Sequence, residues 1–323
     1  MSDTHVLYLS AADVATVDLE PAVARAAVVA AFQAHHAGRP VTRPKQSLQV
    51  GPGHAFQSMC SVWEEEGLAA NKWLGMANVA PGSGLPGIHA LILLNDYATG
   101  QLRAIMDGNV VTALRTAAMS AAAAQFLARP DSRSIGFIGC GLQARFHLAA
   151  LCALLPGLSE IHAFSRSRLS AESLVALGAR QGLVGTACDD AETVIRASDV
   201  VVTSVPMSDG FTPFLDAAWI RPGAFVSSID VGRPWQAMGV SAIDRLATDD
   251  HAQQQENAPL MPGLARPFDA DLAELASGSR PGRSSPTERT MFIFRGFGLG
   301  DLAVAAKVFA AAVERSIGQY LPR

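Results

Sequence analysis

The hydrophobic positions of the first part of the chain predict two kinds of element. Residues 10–36 carry an amphipathic helical periodicity that starts after Ser10, a residue type favoured at helix N-caps. The segments 89–96 and 97–108 have the pattern of two strands joined by an Asp-x-x-Thr-Gly turn, which predicts a hairpin. A long alanine-rich helix is predicted next, over about residues 111–128, and a proline follows it.

From Ser134 onward, short apolar runs alternate with helical segments. The runs cover residues 135–139, 160–164, 199–205 and 224–229, and the helical segments cover 142–155, 171–181 and 191–197. Nearly continuous apolar strands in such an alternation are typical of a doubly wound α/β protein, with helices on both faces of a parallel sheet. Residues 252–289 are polar and rich in Gly, Pro, Ser and Arg, so mainly loops are predicted there. A final apolar helix is expected to begin near Asp301.

Composition and charge predict a cytoplasmic protein of two domains. The 323 residues exceed the usual size of one domain, and 49% hydrophobic with 17% charged residues provide for a large core. A net charge of −4 without a basic block argues against nucleic acid or an anionic membrane surface as a partner. No signal peptide or membrane-spanning apolar run is visible. The four cysteines lack metal-ligand spacing, so reduced, buried thiols and no metal site are predicted.

The stretch IGFIGCGLQAR joins a predicted strand to a predicted helix through Gly-x-Gly-x-x-Ala. Gly139 permits the tight turn, Gly141 lets the backbone approach a pyrophosphate, and Ala144 allows close helix–strand packing. Leu142 and Gln143 complete the turn. The alternative is a glycine-rich turn in a domain that binds no nucleotide. Because the motif follows a strand, opens a helix and heads four strand–helix alternations, we predict a dinucleotide site.

The residues after the second strand of this domain bear on the choice of cofactor. A ribose 2′-hydroxyl calls for a carboxylate about 20 residues after the glycines, whereas a 2′-phosphate calls for arginine. The chain carries Ser165, Arg166 and Arg168 there, and no carboxylate between residues 161 and 170. Hydroxyl and guanidinium groups suit a phosphate dianion, the alternative being that the arginines only cap a solvated helix entry. NADP is therefore favoured over NAD.

A few charged residues lie in otherwise apolar or proline-rich segments and are candidates for substrate binding or catalysis. Taken singly, Lys72 can be a snorkelling surface lysine and Arg115 a structural ion-pair partner. Together with Arg43 they predict a cationic pocket that is suited to binding an α-carboxylate. The neighbouring arginines would lower the pKa of the lysine in such a pocket, so that it can act as proton donor or base. Asp230 ends the strand AFVSSID at the carboxyl edge of the sheet, where ligands bind, and is either a base, a cation partner or a turn residue.

Taken together, these features resemble the ornithine cyclodeaminase/mu-crystallin family. The resemblance covers most of the chain, and the block that joins the hairpin to Thr-Ala-Leu-Arg-Thr-Ala and Gly-x-Gly-x-Gln-Ala is specific to that family. The matching stretches are NKW (71–73), LLNDYATGQLRAIMDGNVVTALRTAAMSAAAAQFLA (93–128), IGFIGCGLQARFHLAAL (135–151), DVVVTSVP (199–206) and FGLGDLAVA (297–305).

The resemblance implies a homodimer with two domains in each chain. Residues 1–115 and 300–323 would form an α+β dimerisation and substrate domain, and residues 116–299 a Rossmann-type domain inserted between them. The implied substrate-carboxylate ligands are Arg43, Lys72 and Arg115. The implied cofactor site contains Thr116 and the loop from Gly139 to Ala144, and we include Ser165, Arg166, Ser204 and Val205 in it. An aspartate after the fifth strand would assist proton transfer, which makes Lys72 and Asp230 the predicted catalytic residues.

The chain departs from the cyclodeaminase pattern in two places. After the fifth strand, Gly-x-Asp-x-Pro is replaced by the run from Asp230 to Pro234, so aspartate and glycine are exchanged. A two-residue shift moves a carboxylate roughly 6.5 Å along a strand. In GLPGIH (84–89), Gly87 stands where cyclodeaminases tend to carry threonine. Both changes argue against ornithine as the substrate, and neither affects the predicted cofactor site.

Members of the family share hydride transfer between a nicotinamide and the α-carbon of an amino or imino acid. The leading hypothesis is an NADPH-dependent reductase of an imino acid, in particular a cyclic imine such as Δ1-pyrroline-2-carboxylate, with the proton supplied by Lys72 or by a water held by Asp230. An amino-acid cyclodeaminase comes second and an alanine- or opine-type dehydrogenase third. A non-catalytic, NADPH-loaded small-molecule binding protein is the alternative from another class.

Overall fold

The computed structural model describes residues 5–51, 53–79, 84–206, 211–256, 260–261 and 263–323. They fall into two compact units. The split unit consists of Met1–Arg115 together with Phe297–Arg323, and the inserted unit is Thr116–Gly296. The roles of these units in dimerisation, substrate binding and cofactor binding stay predictions.

Most elements of the split unit precede the inserted unit. In chain order they are β1 (His5–Leu9), α1 (Ala11–Val17), α2 (Pro21–His36), β2 (Val41–Thr42), β3 (Gln46–Gly51), β4 (His54–Trp63), β5 (Leu68–Met76), β6 (Ile88–Asp96) and β7 (Leu102–Asp107). The helix α3 (Gly108–Leu127) then runs from this unit into the next. The predicted hairpin is confirmed, because β6 and β7 pair antiparallel and the Asp96 side chain accepts hydrogen bonds from Thr99 in the turn.

The prediction of one helix over residues 10–36 is wrong in its length. Ser10 does cap α1, in a capping box with Asp13. However, Asp18 adopts a left-handed conformation with φ of 45°, which ends α1, and Pro21 opens α2 at its first turn. A proline at that position lacks the backbone N–H that a continuous helix would use, so the chain starts a second helix instead.

The elements of the inserted unit alternate as predicted over its first part. They are β8 (Ser134–Ile138), α4 (Leu142–Leu154), β9 (Glu160–Phe164), α5 (Arg168–Ala179), β10 (Val184–Ala187), α6 (Ala191–Ala197), β11 (Val200–Thr203), β12 (Phe225–Ser228), β13 (Arg245–Thr248), α7 (His251–Glu256), β14 (Ala270–Asp271), α8 (Leu272–Ser277) and β15 (Thr290–Ile293). Two short 3-10 helices, Ala217–Trp219 and Ala237–Ala242, also occur. The expectation of mainly loops over 252–289 missed β14 and α8, the latter begun by a capping box between Asp271 and Glu274.

The chain ends with α9 (Gly298–Glu314) and β16 (Gln319–Pro322), both in the split unit. The helix begins three residues before Asp301, the predicted start, and its first residue, Gly298, packs closely against β4. A Cβ at Gly298 would lie 3.0 Å from the Ser61 Oγ. The strand β16 pairs antiparallel with β1, although its short, exposed sequence gave no prediction of a strand.

Each unit contains one eight-stranded sheet. The sheet of the split unit has the order β16-β1-β7-β6-β5-β4-β2, with β3 beside β4. Of its described strand pairs, β1 with β7 is parallel and the others are antiparallel. The sheet of the inserted unit has the order β10-β9-β8-β11-β12-β15-β13-β14, and all its described pairs are parallel. The carboxyl ends of β8, β11 and β12 therefore meet at one edge, which is where the nucleotide motif and Asp230 were expected.

The structure tests two expectations drawn from composition, on membrane-spanning segments and on the cysteines. Among the described residues α3 is long and apolar enough to cross a membrane, but 72% of its most apolar window is buried in the protein, as in a core helix. All four cysteines are free, as predicted. The expectation that all are buried is confirmed only for Cys140, since Cys152 and Cys188 are half-buried and Cys60 is exposed on the outward face of β4.

Candidate functional site: a phosphate-binding turn and a buried lysine

The turn after β8 has the backbone geometry that its glycines suggest. Gly139 has φ of 87°, and a Cβ there would lie 2.5 Å from the Ser204 carbonyl oxygen, so only glycine fits. Gly141 is the N-cap of α4, and an added Cβ would meet nothing within 4 Å. The chain at this helix start thus has open space beside Gly141, as an anion site at a helix N-terminus requires. Ala144 is fully buried, as expected for close helix–strand packing.

The end of β11 holds this turn in place. Ser204 donates from its N–H to the Ile138 carbonyl at 2.8 Å and from its hydroxyl to the Gly139 carbonyl at 2.9 Å. The predicted cofactor residues Ser204 and Val205 therefore lie directly beside the glycine turn. Leu142 is exposed in the first turn of α4, and Gln143 follows it half-buried. Thr116, also predicted for this site, is buried in α3.

A cavity of about 590 Å³ opens beside the turn, within the inserted unit. Gly139, Phe164, Ser165, Arg166 and Val205 are among its lining residues. Its position at the ends of β8, β9 and β11 suits the adenosine half of a dinucleotide. The predicted cofactor residues Ser165 and Arg166 thus lie on its wall.

Three carboxylates also line this cavity, and each already has a partner. Asp189 pairs with Arg168, which also binds Glu172 at 3.1 Å. The second of the two arginines considered for a 2′-phosphate is therefore engaged with carboxylates. Asp190 caps α6, and Glu192 pairs with an arginine of its own helix at 2.7 Å. In contrast, no hydrogen bond or ion pair of the Arg166 guanidinium is found within the described part of the chain.

In the split unit, a buried lysine forms the centre of a charged cluster. The Lys72 Nζ lies 2.8 Å from Asp301 Oδ1 and 3.4 Å from the Thr112 hydroxyl. Arg115 Nε lies 3.0 Å from the same Asp301 oxygen. Lys72 occupies the inward face of β5, where its neighbours Leu68 and Leu74 are also buried, and only 1% of it is exposed. Sequence analysis grouped Lys72 with Arg115 but did not name Asp301, the carboxylate that lies beside both.

Burial is the main cause that lowers the pKa of Lys72, to about 8, with a further contribution from the charge of Arg115. Asp301 opposes both effects by attracting the ammonium. The Asp301 Oδ2 atom is buried and accepts no hydrogen bond from the described residues. The contacts of Asp301 Oδ1 thus place two cationic groups beside one carboxylate oxygen.

Arg43, the third predicted carboxylate ligand, lies in the exposed connection between β2 and β3. The described contacts of Asp301 are with Lys72 and Arg115 only. The signal that could have identified Asp301 is its position as an acid in an otherwise apolar helix, since every residue from Gly298 to Ala306 is buried. An unpaired acid at such a position is costly, so a buried cation had to face it.

Asp230 lies two residues after β12 and is buried. Its Oδ1 accepts hydrogen bonds from the hydroxyls of Thr203, at 3.0 Å, and Ser228, at 2.6 Å. Its Oδ2 accepts the Val205 N–H at 3.0 Å. Burial raises its pKa to about 6, against the effect of these hydrogen bonds and of the Arg233 charge. This carboxylate thus ties the ends of β11 and β12 together beside the predicted cofactor residues.

A buried series of hydrogen bonds, which sequence analysis did not predict, runs from β12 through α3 to the first turn of α4, next to the glycine turn. Ser227 donates to Ser120 at 2.8 Å, and Ser120 lies 2.9 Å from His147 Nε2. The other ring nitrogen, Nδ1, lies 2.7 Å from the Gln143 carbonyl. Because a carbonyl only accepts, we assign the proton to Nδ1, and Nε2 then accepts from Ser120. Burial lowers the pKa of His147 to about 4, so the ring is neutral and holds the first turn of α4 in place.

One cluster in the described part of the chain has metal-like spacing. His251, Asp271 and Glu274 place one ligand atom each within 4.8 Å of one another. The same atoms make the capping box of α8, and His251 Nε2 lies 3.1 Å from Glu274. These contacts explain the cluster as a helix cap.

The parallel sheet with its glycine turn defines a Rossmann-type dinucleotide-binding fold, joined to a second unit with a buried cationic cluster. Comparison with known proteins identifies the family. Residues 7–316 match the sequence model of the ornithine cyclodeaminase/mu-crystallin family, and the chain belongs to that family.

Individual relatives match over most of their length. The chain is 31% identical to the alanine dehydrogenase of Archaeoglobus fulgidus over 301 residues, which covers 90% of this chain and 91% of that protein. It is 31% identical to the ketimine reductase mu-crystallin of Rattus norvegicus over 229 residues, 70% of each chain. Among solved structures, the Δ1-pyrroline-2-carboxylate reductase of Thermococcus litoralis, in complex with NADH and L-proline, aligns with a TM-score of 0.86 at 25% identity, covering 98% of this chain and 100% of that chain. The predicted family, fold class and enzyme type, an NAD(P)-dependent imine reductase or amino-acid cyclodeaminase or dehydrogenase, are confirmed.

Proposed function

We propose that the chain is an NADPH-dependent reductase of an imino acid, a cyclic imine such as Δ1-pyrroline-2-carboxylate being the leading candidate. The observation that carries the proposal is the buried cluster of Lys72, Arg115 and Asp301. A lysine ammonium whose pKa is lowered to about 8 is mostly protonated at neutral pH and gives up its proton more readily than an ordinary lysine. Such a group is suited to giving a proton to nitrogen during the reduction of a C=N bond.

The charges of the cluster support binding of an α-carboxylate. Lys72 and Arg115 lie 2.8 and 3.0 Å from the same oxygen of Asp301, so two cationic groups are held side by side. Arg115 provides a guanidinium fork, and Lys72 provides a compact donor. Arg43 remains a proposed third ligand. Asp301 Oδ2, which has no hydrogen-bond partner among the described residues, can accept a hydrogen bond from the substrate nitrogen once that nitrogen carries a proton.

The residues at the ends of β8 and β11 fit a dinucleotide. Gly141 leaves open space at the start of α4, and Ser204 braces the turn from the neighbouring strand. The reduced nicotinamide supplies the hydride that is added to the α-carbon. Among the chain's own residues, Asp230 positions the Val205 backbone at this edge, because both of its oxygens are used by nearby donors. We therefore assign the proton to Lys72 and a positioning role to Asp230.

The cavity wall supports NADP as the preferred cofactor. Arg166 lines the cavity beside Ser165 without a carboxylate partner among the described residues, whereas the cavity carboxylates have partners of their own. A guanidinium with no other partner is suited to a 2′-phosphate.

Titration of the protein with NADPH and with NADH tests this preference. Arg166→Ala should weaken NADPH binding about 10-fold or more and leave NADH binding within about twofold, since a charge-assisted hydrogen bond contributes about 1.5–3 kcal/mol. Equal affinity of the wild-type protein for NADH would refute NADP preference.

A row of exposed apolar side chains supports a homodimer. Leu48 lies opposite Phe56 on β3 and β4, and Trp73 lies opposite Leu91 on β5 and β6. The rings of Phe56 and Trp73 stack at 5.9 Å, and each of the four side chains is at least 43% exposed. A continuous apolar row of this kind on a soluble protein is typical of an interface. We propose that a second copy of the chain covers it, as the family resemblance implies. The cytoplasmic location also stays a prediction.

One panel of substrates tests the proposed reaction. NADPH oxidation with Δ1-pyrroline-2-carboxylate or Δ1-piperideine-2-carboxylate is the expected result. Formation of proline and ammonia from ornithine would instead indicate a cyclodeaminase, and NAD(P)-dependent oxidation of alanine a dehydrogenase. Ligand binding without turnover of any imine or amino acid would refute the enzyme and indicate a binding protein.

A further inference from the structure

The cavity of the inserted unit has an ion pair at its edge that joins the ends of two neighbouring strands. Strands β9 and β10 pair in parallel, so the residues that follow them lie side by side at the carboxyl edge of the sheet. Ser165 and Arg166 follow β9, Asp189 follows β10, and all three line the cavity. Because the Arg168 guanidinium pairs with Asp189, it lies at the edge of the same cavity.

The backbone on both sides of Asp189 is held by hydrogen bonds. The Cys188 N–H donates to the Ala163 carbonyl at 2.8 Å, which continues the pairing of β9 and β10 up to the residue before Asp189. On the other side, Asp190 caps α6 and accepts the Thr193 N–H at 2.7 Å and the Thr193 hydroxyl at 3.0 Å. The Asp189 side chain itself is 90% exposed. Its carboxylate is therefore presented at the cavity wall by a fixed backbone.

Two carboxylates bind different nitrogens of the Arg168 guanidinium. Its Nε donates to Glu172 at 3.1 Å, one turn further along α5, and its Nη1 donates to Asp189. All three side chains are more than half exposed. Exposed ion pairs are weak, because water solvates both charges and salt screens them. The contact with Glu172 can therefore keep the guanidinium in place while the contact with Asp189 is exchanged for a stronger one.

A 2′-phosphate is the ligand that fits such an exchange. A phosphate monoester at neutral pH carries more negative charge and more acceptor oxygens than a carboxylate does. Arg166, on the same cavity wall, has no hydrogen bond or ion pair of its guanidinium within the described ranges of the chain. Arg166 and Arg168 are separated by a single residue where the chain enters α5. They therefore form a pair of cations of which one is open to a phosphate and the other is already held by Asp189.

We propose that Asp189 sets the strength of 2′-phosphate binding, because its carboxylate competes with the phosphate for the Arg168 guanidinium. The proposal rests on the proposed function, in particular on the binding of NADP, and adds to that site a second cationic ligand and its competitor. Binding of NADPH breaks the exposed pair of Arg168 and Asp189, whereas NADH, which has no 2′-phosphate, leaves that pair intact. Asp189 thus reduces the difference in affinity between NADPH and NADH without acting on the adenosine that both contain.

Two fragments of the cofactor test this competition without any turnover. Adenosine 2′,5′-bisphosphate and adenosine 5′-monophosphate differ only in the 2′-phosphate, and titration calorimetry on the full chain measures the dissociation constant of each. Asp189→Asn should bind the bisphosphate about two- to fivefold more tightly than the wild type does and change monophosphate binding by less than about 1.5-fold, as expected for the release of one exposed ion pair.

Arg168→Gln completes a double-mutant cycle with Asp189→Asn. Alone, it should weaken bisphosphate binding about 3- to 10-fold and leave monophosphate binding unchanged, because a charge-assisted bond to the phosphate is lost at a half-exposed site. In the Arg168→Gln background, Asp189→Asn should give no gain, since the guanidinium for which the carboxylate competes is gone. Asp131→Asn is the matched control. Asp131 is an exposed carboxylate 3.6 Å from an arginine, but it precedes β8 at the opposite edge of the sheet, so both dissociation constants should stay unchanged.

Three results would overturn the competition. They are unchanged bisphosphate binding in Asp189→Asn, weaker binding of both fragments, which would assign Asp189 to the adenosine, and an equal gain with and without Arg168, which would indicate general repulsion of the phosphate. The proposed function is tested separately, since no imine enters these titrations. A wild type that binds NADH as tightly as NADPH would refute the NADP preference, whereas a gain of Asp189→Asn confined to the bisphosphate would still support the role of Asp189. A wild type that binds neither fragment would remove the cofactor site and the inference together.

Discussion

Replacement of Lys72 by methionine should separate the stability of the protein from its activity. The lysine is completely surrounded by the protein and still carries a charge at neutral pH. Methionine has a similar length and no charge, so it fills the same space on β5. Asp301 keeps Arg115 as a partner, 3.0 Å away, and is not left as an unpaired buried charge.

The pKa of Lys72 indicates the size of the stability effect. A lowering from the usual 10.5 to about 8 corresponds to a cost of roughly 3 kcal/mol for keeping the ammonium inside the protein, at about 1.36 kcal/mol per pKa unit. Lys72→Met removes this cost together with the ion pair that limits it. We therefore expect the free energy of unfolding at pH 7 to stay within about 1 kcal/mol of the wild type or to rise, as replacements of buried ion pairs often do.

The pH dependence of this effect has a definite sign. Because the pKa of Lys72 is lower in the folded state, the unfolded chain binds more protons between pH 8 and 10.5, and the wild type gains stability as the pH rises through that window. The advantage of methionine is therefore complete below about pH 8 and disappears toward pH 10.5.

Activity should change in the opposite sense. Loss of both the proton donor and a carboxylate ligand should lower kcat/KM for imine reduction by at least about 100-fold. Denaturant unfolding and steady-state kinetics on the same preparations measure both quantities. Lys307→Met is the control, since that lysine pairs with Glu66 at 2.7 Å while remaining partly exposed, and it should leave activity unchanged. A Lys72→Met protein that is strongly destabilised but retains its turnover would show that the lysine is structural and would refute this reasoning.

Three further substitutions test the cluster, the interface and the turn. Asp301→Asn removes the carboxylate that pairs with the buried Lys72 ammonium, so the free energy of unfolding should fall by about 3–5 kcal/mol. In that variant the loss of reductase activity at alkaline pH, expected near pH 8 in the wild type, should move to lower pH in a kcat/KM profile; an unmoved profile would contradict the assignment. Trp73→Glu should give a monomer of unchanged circular dichroism in light scattering, and a persistent dimer would place the interface elsewhere. His147→Leu should weaken NADPH binding and lower stability by about 1–3 kcal/mol, because two buried groups lose their partner; unchanged cofactor affinity would limit the hydrogen-bonded chain to a structural role.

The elements predicted most accurately from the sequence are those that depend on a local pattern of residues. The alternation of strands and helices after Ser134 and the hairpin before α3 need only the spacing of apolar residues and a turn motif. The break at Asp18 was missed because the apolar periodicity continues across it. The strand β16 was missed because its pairing with β1 joins the two ends of the chain, which no local pattern records.

The candidate site was predictable where a residue type is unusual for its position. Lys72 and Arg115 were recognisable as charges in apolar surroundings, and the glycine turn by its spacing. Asp301 was read only as a helix start, because its partners lie far away in sequence. The environment of Asp230 could not be read from the chain either, since the hydroxyls that bind it come from two different strands.

The transfer of the hydride tests the central claim most directly. The wild-type protein is incubated with NADPH that carries deuterium at the nicotinamide C4 and with Δ1-pyrroline-2-carboxylate, and the product is examined by mass spectrometry and NMR. The proposed function predicts proline with one deuterium at the α-carbon and none elsewhere, formed by the wild type and lost in Lys72→Met. Deuterium at another carbon, or no deuterated amino acid from any imine in the panel, would contradict it.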